Sequence, residues 1–145
     1  MIGKYMEGSE YQLLVFGSAY LKTDGVNSDI DCILSTYEKT MDHEIGFFAK
    51  FFKFLKDQPE VTNLVKIPEA QVPLIKLKIC ETEIDLLLCS KKSGASLISV
   101  DGAANKKSVN SLQGYECTLN IEKIATHYGI QTFREVTKIL KHFCK

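Results

Sequence analysis

The chain has 145 residues, of which 45% are hydrophobic and 25% charged, and its 18 basic side chains balance its 18 acidic ones. That length suits one domain able to bury about two thirds of its unfolded surface. Zero net charge excludes a nucleic-acid binder that works through bulk basicity, and no apolar run approaches the roughly 20 residues that span a bilayer.

In chain order, Met1 to Gln12 is mixed and polar, without the apolar stretch of a signal peptide. This predicts a protein of the cell interior. Tyr11 to Phe16 reads as the first strand, closed by Gly17. The turn-rich Thr23 to Ser28 leads into a second strand, Asp29 to Leu34. Glu38 to Lys56 has helical spacing: Met41, Ile45, Phe48, Phe52 and Leu55 recur at three and four, with Phe47, Phe51 and Phe54 widening the stripe. These phenylalanines read as core.

Val61 to Lys66 is a candidate edge strand. Val72 to Ile79 and Thr82 to Cys89 read as a hairpin turned at Cys80-Glu81, with Lys76 and Lys78 on one face. Lys91 to Lys107 reads as a long surface loop, rich in Ser, Gly, Ala and Lys. Helical pieces follow at Ser108 to Gln113, Leu119 to His127 and from Gln131 onward, the last with Phe133, Val136, Leu140 and Phe143 as a stripe. The five cysteines, Cys32, Cys80, Cys89, Cys117 and Cys144, show no CxxC spacing. They read as free thiols in a reducing compartment.

Chemistry concentrates in three places. Gly17-Ser18 follows a strand, and Gly permits close backbone approach to a phosphate. Asp29 and Asp31 are two apart, a spacing that puts both on one face of a strand. Asp31 lies between Ile30 and Cys32, and Asp85 between Ile84 and Leu86, where an unpaired buried carboxylate costs several kcal/mol. Side-by-side carboxylates repel, and a pair of divalent cations shared by all three removes the conflict. Glu83 reads as an outer, solvated neighbour. Arg134 is the one arginine, so phosphate recognition would fall to lysines as point charges.

Gly17-Ser18, Asp29-Ile30-Asp31 and Asp85 resemble the pattern of the DNA polymerase β-like nucleotidyltransferase superfamily. Ile67 to Lys78, with its Val72-Pro73-Leu74-Ile75-Lys76-Leu77-Lys78, and Ser108 to Gly114 resemble its eukaryotic poly(A) polymerase branch. Gln71, Ala19-Tyr20, Gln113 and Glu116 depart from that branch's usual residues.

The resemblance implies an α+β fold, a mixed sheet of about five strands with helices packed mainly on one face. Residues 1–107 would be the nucleotidyltransferase palm and 108–145 the start of a central helical domain. Asp29, Asp31 and Asp85 would be catalytic and hold two Mg²⁺ or Mn²⁺ ions. Gly17, Ser18, Val72 and Lys141 would bind ATP, and Lys76 would lie close to RNA. The implied reaction transfers AMP from ATP to an RNA 3′ end in the nucleus, with no membrane role. Family members continue into a fuller central domain and an RNA-binding domain, so the resemblance implies a fragment, a reduced gene product, or one half of an assembly in which another chain supplies those domains. The alternatives are a non-catalytic binding or assembly module of the same fold, or transfer of another nucleotide or to another acceptor.

Overall fold

The structure is a computed structural model and describes residues 1–37, 44–70 and 72–144. β2 (Ile30–Tyr37) and β5 (Thr82–Lys91) carry the most continuous apolar runs, and they form the middle of the sheet. Strands buried on both faces need such runs. They pair in parallel, with Asp31 opposite Asp85. A parallel pair requires a long crossover, which here holds α3 (Glu44–Lys56), β3 (Val61–Ile67) and β4 (Leu74–Ile79).

β1 (Tyr11–Phe16) pairs antiparallel with β2, and β4 joins β5 and β3 antiparallel. The order is β1-β2-β5-β4-β3, five strands in a mixed sheet as expected, with β3 on an edge. Cys80 and Glu81 alone turn β4 into β5, both with positive φ (47° and 70°). That is the backbone of a two-residue primed turn, whose twist matches the flanking strands.

Side chains alternate between the faces. Cys32, Leu34, Ile75, Leu77, Leu86 and Leu88 point to α3, where Phe47, Phe48, Phe51 and Leu55 are buried. The start of the predicted helix, Glu38 to His43 with Met41, lies outside the described residues, but the phenylalanine stripe is core as read. Tyr5 of α1 (Ile2–Tyr5) closes this cluster with ring centroids 4.9 Å from Phe51 and 4.8 Å from Phe54. Each fully buried large apolar side chain contributes about 1.5–3 kcal/mol.

The opposite face buries Leu14, Ile33 and Cys89 under Leu112 of α4 (Lys106–Tyr128). The helices therefore divide between both faces, because the central strands are apolar on both sides.

Three readings change. The second strand begins at Ile30 and runs on to Tyr37, which leaves Asp29 in the preceding loop. The helical pieces Ser108 to Gln113 and Leu119 to His127 are one helix, α4, capped by the Asn105 side chain accepting from the Ser108 N–H at 2.9 Å. Gly114 interrupts the helical pattern without breaking the helix, since it sits where α4 crosses Phe16.

Lys91 is the third. It ends β5 and is fully buried, its ammonium donating to the carbonyls of Ser99 and Asp101. The loop folds back onto it. α5 (Ile130–Phe143) follows α4, and much of its stripe is open to solvent: Leu140 is 58% and Phe143 79% exposed. Cys32 and Cys89 are buried, whereas Cys80, Cys117 and Cys144 are exposed, and among the described residues no two cysteines form a disulfide. Among the described residues, no helix is long and apolar enough to cross a membrane.

Candidate active site

Parallel register between β2 and β5 sets Asp31 and Asp85 side by side on the face toward α4. Both are half-buried, not buried, and Asp29 is exposed at the entrance to β2. Burial pushes the Asp31 carboxyl above its ordinary range, and the charges of Asp29 and Asp85 push the same way. Asp29 and Asp85 therefore both act on Asp31.

Lys76 stands opposite Asp85 on β4, and its Nζ lies 2.5 Å from Asp85 Oδ2. The hydrogen bond to Asp85 holds the ammonium's pKa up, and Asp29 and Glu83 add to this. Lys76 is thus the local counter-ion of the acidic group. Among the described residues, no three His, Cys, Asp or Glu side chains are gathered tightly enough to cage a metal as they stand. The donor set nevertheless suits a hard cation: carboxylate oxygens, mutually repelling, with a protein cation at one of them. Beneath them, burial and the charges of Asp31 and Asp85 push the Cys32 thiol up to about 12, which keeps it protonated and inert.

Gly17 opens α2 (Gly17–Leu21) directly after Phe16, the residue paired with Asp31. Its φ is +66°, and a Cβ there would meet Asp31 Oδ2 at 3.0 Å. Only glycine allows this backbone to pass so close to the carboxylate. Its N–H donates to Thr118 Oγ1 at 3.0 Å. Ser18 follows, half-buried.

The remaining predicted residues lie around this centre. Lys141 of α5 donates to the Thr23 carbonyl at 3.3 Å. Together with Lys138, His142, Asp24 and Ser28 it lines a cavity of about 400 Å³ beside the loop that carries Asp29. Val72 precedes β4 and lies beyond Leu74, whose β5 partner is Leu87. It is therefore displaced along β4 from the Lys76–Asp85 row, in the direction opposite to Asp29. Gln71 lies outside the described residues.

Sequence reading missed Gly114 and Thr118, which secure the glycine turn from α4. The residues that would have flagged them are a glycine inside a helical pattern and a hydroxyl four residues later.

The chain belongs to the poly(A) polymerase nucleotidyltransferase domain family, which it matches over residues 2–97. It is 30% identical over 141 residues to nuclear poly(A) polymerase 1 of Arabidopsis thaliana, covering 92% of this chain and 19% of that protein. Over 76 residues it is 34% identical to poly(A) polymerase pla1 of Schizosaccharomyces pombe, covering 52% of this chain and 13% of that one. The chain spans about a fifth of the length of the Arabidopsis relatives it matches. Among solved structures, mtPAP in complex with ATPγS superimposes with a TM-score of 0.49 at 17% identity, covering 66% of this chain and 23% of that one.

Proposed function

We propose that this chain is the catalytic palm of a metal-dependent polynucleotide adenylyltransferase. It would transfer AMP from ATP to an RNA 3′-hydroxyl. One observation carries the reading: Asp31 and Asp85 face each other across parallel strands, within electrostatic reach of Asp29 and beside a glycine turn.

The hydroxyl oxygen attacks the α-phosphorus, the bond to the bridging oxygen breaks, pyrophosphate leaves and the hydroxyl proton is released. Mg²⁺ or Mn²⁺ held by Asp29, Asp31 and Asp85 would neutralise the developing charge and lower the hydroxyl's pKa. Asp85 would orient the 3′-hydroxyl. Gly17, lacking a side chain, and Ser18 would admit the ATP phosphates, with Lys141 as a positive point charge from the rim. Val72 would pack near the base, and Lys76 would leave Asp85 for the RNA backbone as metal enters.

Residues 1–107 would form the palm and 108–145 the opening of a central helical domain. Another chain or segment would complete the pocket. The relatives named as nuclear support a nuclear location.

A non-catalytic module of the same fold is the second reading. It is favoured by the ion pair that already neutralises Asp85.

The deciding experiment is extension of an oligo(A) primer with each of the four ribonucleoside triphosphates, in Mg²⁺ and in Mn²⁺. ATP-selective extension is expected, and Asp31→Ala should abolish it while the circular dichroism spectrum stays unchanged. Equal extension by Asp31→Ala overturns the metal assignment. No extension by the parent favours the module, and preference for another triphosphate moves the reading to a different transferase.

A further inference from the structure

Gly114, Thr118 and Glu122 are spaced by four along α4, so they form one stripe on the helix. Each meets the stretch from Phe16 to Tyr20 that contains the glycine turn. Gly114 lies under Phe16, where a Cβ would come 2.9 Å from the ring. Thr118 is buried and uses its hydroxyl twice, accepting from the Gly17 N–H and donating to the Gly114 carbonyl at 2.8 Å. Glu122 accepts from the Tyr20 hydroxyl at 2.9 Å. Phe16 and Gly17 in turn border Asp31.

Glycine is the residue with the most backbone freedom to lose. Gly17 stands between a strand and a one-turn helix with its left-handed φ facing a carboxylate. An acceptor anchored on a 23-residue helix removes that freedom, because rotating the peptide would leave a donor unpaired beneath α4.

We infer that Thr118 is a positioning residue. Through the Gly17 amide it fixes the Gly17-Ser18 turn against Asp31, and so sets how the nucleotide's phosphates are received. The inference rests on the adenylyl-transfer reading for its nucleotide half.

The test compares Thr118→Val, which keeps the shape and removes the acceptor, with Thr118→Ser, which restores it. Gly17 amide exchange and the Asp31 carboxyl ¹³C shift are read by NMR without nucleotide. KM for ATP and kcat on an oligo(A) primer are read with it. The Val variant should exchange Gly17 faster, shift the Asp31 signal and raise KM about tenfold, with kcat little changed. The Ser variant should return all of these toward the parent.

Parental Gly17 exchange in the Val variant, or a Ser variant as impaired as Val, overturns the inference. Should the Val variant lose cooperative melting, Tyr20→Phe removes the hydroxyl held by Glu122 at the far end of the stripe. Faster Gly17 exchange there supports the clasp, and Thr118→Ser against the parent then decides the inference, which is overturned if the Ser variant exchanges Gly17 as fast as an unprotected amide. A parent chain that neither binds ATP nor extends primer sinks the adenylyl-transfer reading alone, since the two NMR readouts still decide whether Thr118 holds the turn.

Discussion

The sheet face under α3 is apolar from Met6 to Leu88 and closed by stacked rings, among them Phe47 and Phe51 at 5.8 Å and 21°. The face under α4 is built from the alternate residues of the same strands. It carries Asp31, Asp85 and Lys76 in one row beside a much smaller apolar cluster. The first face gains free energy from every contact. The second holds like charges together, which opposes folding. One sheet supports both because the α3 side supplies the stability that the carboxylate side uses up.

The sharpest way to break that contrast is Phe51→Ala. Phe51 is fully buried at the centre of the α3 cluster, and its truncation should cost about 3–5 kcal/mol in urea unfolding. A loss near zero would mean that α3 does not carry the fold.

Lys76→Met probes the other face. Removing the ammonium leaves Asp85 unpaired and Asp29 and Asp31 less screened. The half-exposed pair should be worth about 1 kcal/mol, measured by melting in a chelator. Mn²⁺ should restore the loss, as a second cation takes over the carboxylates. Equal melting of parent and variant in the chelator would remove Lys76 from its role as counter-ion.

Asp31→Asn should have the smallest effect and the opposite sign. Burial and two neighbouring anions raise the Asp31 pKa, so the folded state binds that proton more tightly than the unfolded chain. Stability from this group is present in acid and is lost as pH rises from the ordinary value of 3.8 through the raised one. Asparagine should therefore raise the melting temperature slightly at neutral pH, and the gain should shrink toward pH 4. A drop at neutral pH would assign Asp31 a structural bond instead.

Much of this was legible in the sequence because it is local. β1 has its expected bounds, the hairpin turn falls at Cys80-Glu81, and the phenylalanine spacing gave the face of α3. The convergence of Asp31 with Asp85 was inferred from two anomalies of the same kind, acidic residues inside apolar runs.

What stayed hidden depends on partners distant in the chain. Lys91 looked like a loop lysine because the carbonyls that receive it belong to Ser99 and Asp101, in a segment with no periodicity of its own. Gly114 looked like an interruption because its reason is the Phe16 ring, far earlier in the chain. Asp29 was placed on the strand because alternation cannot say where pairing starts.

The two-residue reversal at Cys80–Glu81 is a ruler as well as a turn. It fixes Ile79 against Thr82 and so, three rungs further in, Lys76 against Asp85. Lengthening it by one residue would slide β4 one step and exchange its two sides. Asp85 would then face an aliphatic neighbour, and Lys76 would be driven into the phenylalanine cluster. The composition of this bend is free to drift, but its length is bound to the acidic row four residues away.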